Sequence, residues 1–91
     1  MTAPDEDEVV RDLRRRITEL DDAVFDAVNL RLELVARLKR HKDERGYAFV
    51  DPERETRMVE AQLARNRGPL SAAGLRRLYA ELLALVKREV G

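Results

Sequence analysis

Residues 10–42 read VRDLRRRITELDDAVFDAVNLRLELVARLKRHK, and how that stretch is read decides the fold. Val10, Leu13, Ile17, Leu20, Val24, Val28, Arg31, Val35, Leu38 and Lys42 recur at three- and four-residue steps. That spacing returns a side chain to one face of an α-helix about every turn. No Gly or Pro interrupts it, so one continuous amphipathic helix is expected from about 8 to about 43. Gly46 and its polar neighbours end it.

Outward from that helix, residues 1–8 lack apolar periodicity and are expected to form a flexible tail, which leaves 9–91 as the folded domain. Asp51 reads as an N-cap with Pro52 at the first helical position, opening a second helix that runs to about Asn66. Gly68-Pro69 stops it. Ser71 caps a third helix whose stripe is Leu75, Leu78, Tyr79, Leu82, Val86 and Val90. No strand signal, repeat or low-complexity segment is present. The expected fold class is all-α, with one long and two shorter helices.

The chain has 91 residues, enough for one domain with a thin core. About 35 helical residues at roughly 1.5 Å each make a rod of roughly 50 Å. A compact monomer of this size has a radius of gyration of only about 12 Å. Two short helices cannot cover such a rod at both ends, so its apolar stripe calls for a second copy and an interlocked homodimer is expected. A plain coiled coil is the simpler alternative, but it leaves two further amphipathic helices without a place.

Composition narrows the chemistry. Cysteine is absent and His41 is the only histidine, which disfavours a thiolate or histidine metal site, so neither metal nor cofactor is expected. Lys plus Arg equals Asp plus Glu at 18 each, without the basic excess of a general nucleic-acid binder. No apolar run reaches the length of a membrane span, and the acidic opening does not resemble a signal peptide. A soluble, cytoplasmic protein is expected. His41 reads as a solvated residue near a helix C-terminus, where a cation is mildly favoured.

Several charges lie on the wrong face. Arg31 and Lys42 are eleven residues apart, which at about 100° per residue is three turns plus roughly 20°, so both share the apolar stripe. Arg37 and Lys39 point elsewhere and read as ordinary solvated charges. On the second helix Glu55 falls in line with Val59, Gln62 and Leu63. Arg14 sits at the edge of the first stripe. Long cationic stems can lie on a core with their heads in water. Three cations and one carboxylate turned inward in so short a chain favour instead a polar cavity that takes a small di-anion, since Arg forks match carboxylates in pairs.

The stretch LRRRITELDDAVFDAVNLRLELV, then Lys42, then VDPERE at residues 50–55, resembles the all-helical class of chorismate mutases over nearly the whole chain. The resemblance implies two chains interlocked through their first helices, with two sites per dimer. It implies that Arg14 reaches into the partner's site to hold a substrate carboxylate, and that Arg31 holds a carboxylate within its own chain. Lys42 would donate to the ether oxygen of the breaking C–O bond and to a carboxylate. Asp51 and Arg54 would shape and line the mouth, and Glu55 would accept from the ring hydroxyl. The implied reaction, chorismate to prephenate in aromatic amino-acid biosynthesis, is a one-molecule rearrangement. It asks for a held conformer and for charge stabilisation at one oxygen, not for a base, nucleophile or metal.

One departure stands out. Where the family places a small polar residue and, four positions on, a Gln or Glu that gives the ether oxygen its second donor, this chain has Val86 and Val90. Glu89 is adjacent but about 100° away on a helix. Losing one such donor costs about 10²–10³ in rate. Weak activity of the isolated chain, and an activating partner enzyme of the shikimate pathway, are therefore expectations. Two other functions compete: an isochorismate-pyruvate lyase of the same fold, and a non-catalytic regulatory or ligand-binding helical dimer. Tyr47 and Phe49 could close the mouth of a site but read better as loop anchors packed on the helices.

Overall fold

The computed structural model describes residues 6–91. It contains α1 (Glu8–Arg45), α2 (Pro52–Arg65) and α3 (Ala72–Glu89), and no strand among the described residues. Each start is set by a side-chain cap. The Asp7 carboxylate accepts from Val9 N–H at 2.8 Å and Val10 N–H at 3.3 Å, so α1 starts at Glu8, where the helix is expected to begin. Of the expected tail, residues 1–5 lie outside the described residues. Asp51 accepts from Arg54 N–H at 3.1 Å, with Pro52 following it, and Ser71 Oγ accepts from Gly74 N–H at 3.0 Å. Both caps are where the sequence puts them. They matter because the first four N–H groups of a helix have no partner inside it.

The helix ends differ a little from expectation. α1 continues to Arg45, past the end expected near Asp43, because the polar run before Gly46 is a good helix former and only Gly46 breaks it. Gly46 stands at φ +70°, the left-handed region that a glycine enters without a Cβ clash. α2 closes on Asn66, whose N–H donates to the Gln62 carbonyl. The Asn66 side chain then holds the turn to α3, donating to the Leu70 carbonyl at 2.8 Å and accepting from Gly68 N–H at 3.2 Å.

The chain divides into two units, Met1–Glu33 and Leu34–Gly91, with the boundary inside α1. In the first unit the apolar stripe is largely bare: Leu13, Ile17, Leu20, Val24 and Phe25 are exposed, Leu20 to 65%. Its outer face carries a ladder of exposed ion pairs, Arg15 with Asp12 and Glu19, and Arg16 with Asp12.

In the second unit α2 and α3 pack on each other. Leu75 and Val86 of α3 are buried, and Met58, Val59, Leu63, Tyr79, Leu82, Leu83 and Leu85 are half-buried. Leu78, expected in the α3 stripe, is 54% exposed. It lies one turn from both Leu75 and Leu82, yet a single chain offers nothing to cover it.

Candidate active site

The C-terminal end of α1 and the segment after it gather several of the singled-out residues. Lys42 is half-buried, and its ammonium donates to the Phe49 carbonyl at 3.3 Å. Two residues on, Asp51 caps α2 through Arg54 N–H, and its own carbonyl accepts from Glu55 N–H at 3.1 Å. Lys42, Asp51, Arg54 and Glu55 are thus tied to one helix–loop–helix junction by a short run of bonds. Glu55 is half-buried together with Val59 and Leu63 on its face of α2, whereas Gln62 is exposed. Asp51 and Arg54 are exposed. Of the two aromatic residues in the connection, Phe49 is half-buried and Tyr47 is exposed, so only the first serves as an anchor.

The last turn of α3 reaches the same unit. Val86 is buried, and its carbonyl accepts from Val90 N–H at 2.8 Å and Gly91 N–H at 3.2 Å. α3 ends at Glu89 and Val90 is the C-cap, half-buried, while Glu89 is exposed. No shift of the helix end exchanges the two, so the position turned inward is an apolar one.

Lys39, read as a solvated charge, is half-buried as a residue and makes an exposed bond, donating to the Gly91 carbonyl at 3.3 Å. Helix geometry places its Cα about 60° from that of Lys42, and a four-carbon stem spans that difference. An angle count on α1 alone could not reveal this, because the acceptor comes from the far end of the chain. Arg37 and His41 are exposed, as a solvated reading requires.

Arg14 and Arg31 belong to the first unit. Arg14 is exposed, and its carbonyl accepts from Thr18 Oγ1 at 3.0 Å. Arg31 is half-buried, although the apolar residues one turn before and after it, Val28 and Val35, are also only half-buried. Among the described residues no group of three or more His, Cys, Asp or Glu could hold a metal ion. None of the three helices is long and apolar enough to cross a membrane.

The family model described as chorismate mutase type II matches residues 13–90, from the first turns of α1 to the cap of α3. The chain belongs to that family. A solved structure, that of chorismate mutase (form I) from Thermus thermophilus, is similar to it at 26% identity. The likeness covers 87% of this chain and 99% of that one, with a TM-score of 0.83. No curated protein gives a match. The chorismate mutase type II fold thus accounts for all three helices and for the α1–α2 junction that carries Lys42 and Glu55. Val86 and Val90, where a departure from the family pattern is expected, lie inside the matched span.

Proposed function

We propose that the protein is a chorismate mutase, an isomerase that rearranges chorismate to prephenate by a Claisen reaction and serves the shikimate pathway. The observation that carries this reading is the family match over residues 13–90, a span that contains every charged residue proposed for the site. Lys42 is the donor to the ether oxygen, where negative charge grows as the C–O bond breaks, and it also meets a carboxylate. Arg31 holds a carboxylate of the same substrate. Glu55 accepts from the ring hydroxyl, while Asp51 and Arg54 bind at the mouth. Val86 and Val90 line the site with apolar surface. A substrate carrying two carboxylates needs fixed cations, and their orientation before the reaction is where the rate advantage arises.

The working form is a homodimer in which Arg14 acts in the partner's site. The bare stripe of Leu13, Ile17, Leu20 and Val24 supports this, since a monomer gains nothing from exposing it. Because Val90 supplies no side-chain hydrogen-bond donor, an activating enzyme of the same pathway is the partner proposed beyond the dimer. The proposed compartment is the cytoplasm.

The test is a direct assay in which chorismate and isochorismate are offered separately to the purified chain. Prephenate formation from chorismate is the expected result. Pyruvate release from isochorismate without prephenate formation would make the chain a lyase. Binding of chorismate without turnover, with every plausible pathway partner supplied, would make it a regulatory module.

A further inference from the structure

Lys42 is held at both of its ends by the segment that follows it. Tyr47 N–H donates to the Lys42 backbone carbonyl at 2.8 Å and Gly46 N–H to the Asp43 carbonyl at 3.3 Å. This pair of bonds, closed by one left-handed residue, is a Schellman cap, and Gly46 at φ +70° is that residue. The cap turns the chain so that Phe49, three residues further, presents its carbonyl to the Lys42 ammonium at 3.3 Å. Phe49 itself is half-buried.

From this geometry we infer that Gly46 is a positioning residue for Lys42: its left-handed turn sets the Phe49 carbonyl where it holds the ammonium in one orientation. The inference rests on the proposed role of Lys42 at the ether oxygen. An ammonium carries three N–H donors. One is spent on Phe49, and two remain for the two acceptors the reaction presents, the ether oxygen and a carboxylate. A free lysine stem has many rotamers, and ordering it at the moment of reaction is unfavourable. A donor already aimed at the developing charge avoids that reorganisation.

Gly46 suits a clean experiment. A Cβ built there meets nothing within 4 Å, so a substitution acts through backbone conformation and not through a clash. Asn tolerates the left-handed region, Ala less so, and a β-branched Val least. The full chain is compared as wild type, Gly46→Asn, Gly46→Ala and Gly46→Val. One measurement is kcat and KM with chorismate. The other is competitive acetylation of Lys42 against the exposed Lys87 as an internal reference, read by mass spectrometry.

The expected result is a fall in kcat in the order Asn, Ala, Val, reaching roughly 10- to 100-fold, as for a misplaced catalytic group. KM rises by a smaller factor than kcat falls, Lys42 acetylation speeds up in the same order, and Gly46→Asn stays near wild type on both readouts. If Gly46→Val does not fold, Gly46→Ala carries the comparison. Unchanged Lys42 reactivity in a folded Ala or Val variant overturns the inference. So does a kcat loss that only tracks the folded fraction in a thermal melt. If no form turns over chorismate while the acetylation order still appears, the mutase reading fails and the positioning of Lys42 by Gly46 stands.

Discussion

Two stretches of the chain carry the same apolar period and reach different ends. In Met1–Glu33 the stripe is long and regular, yet most of its large side chains are bare. In Leu34–Gly91 a shorter and less regular set of apolar residues is drawn into a small core around Leu75 and Val86. The difference is one of supply. The second stretch has α2 and α3, linked by a short turn, to bury its apolar groups against one another. The first has a single helix, and a single helix cannot bury its own face. Periodicity therefore reports that a surface seeks cover and is silent on which molecule provides it.

The largest effect should come from the bare stripe. Leu20→Asp combined with Val24→Asp places two charges where a lone chain exposes both residues to water. If the chain worked as a monomer, such surface changes would cost within about 0.5 kcal/mol each. For a dimer sealed by that stripe, the double variant loses assembly and activity together. Sedimentation at micromolar concentration should show twice the chain mass for wild type, and its melting point should rise with protein concentration. A wild-type chain that stays folded, monomeric and concentration-independent would falsify the dimer.

Next in size are the charged residues. Lys42→Ala should remove nearly all rate enhancement, with a loss of at least about 10²–10³, while Arg31 still allows weak binding of a dicarboxylate. Arg14→Ala and Arg31→Ala should each come close to abolishing turnover. Mixing those two inactive forms should restore one working site per mixed dimer, because its two arginines come from different chains. Subunit exchange without any recovered activity would place Arg14 in its own chain's site or outside the chemistry.

A gain should follow from Val90→Gln. An amide at the half-buried C-cap of α3 would offer the ether oxygen a second donor, worth up to about 10²-fold in kcat if well aimed. The gain belongs in turnover more than in affinity, because charge on that oxygen grows only in the transition state. A folded dimeric variant with unchanged kcat would show that the position does not face the reacting atoms or that another group already serves there.

The smallest effect separates stability from catalysis. Ser71→Ala removes the α3 cap bond to Gly74 N–H, far in sequence from the α1–α2 junction. It should cost about 1 kcal/mol, a fall of roughly 4–8 °C in Tm for a domain of this size. KM and kcat below the melt should not change.

Much of this was legible in the sequence because helix starts obey local rules. Asp51 and Ser71 each need only their own side chain and a backbone N–H three residues ahead, so a single sequence suffices to place them. The inward turn of Glu55 was legible for the same reason, as it depends on helix phase alone. What escaped were bonds whose partner is chosen by the path of the chain. Phe49 meets Lys42 through a carbonyl that any residue would carry, and Lys39 meets Gly91 across the length of the unit. Residue type leaves no mark at such contacts. The exposure of Leu78 escaped too, since its period matches that of its buried neighbours.

The unbroken run of α1 from Glu8 to Arg45 also bears on how such a sequence can change over time. Arg14 and Arg31 keep their relative bearing only through the number of residues between them. Inserting or deleting one residue there would swing Arg31 by about 100° relative to Arg14, and no loop lies between them to absorb the error. Substitutions along this helix are a matter of degree, but a change in length is all or nothing. The turn between Arg65 and Ala72, held by Asn66, carries no such bearing, so variation in length should collect there and be purged from the helix.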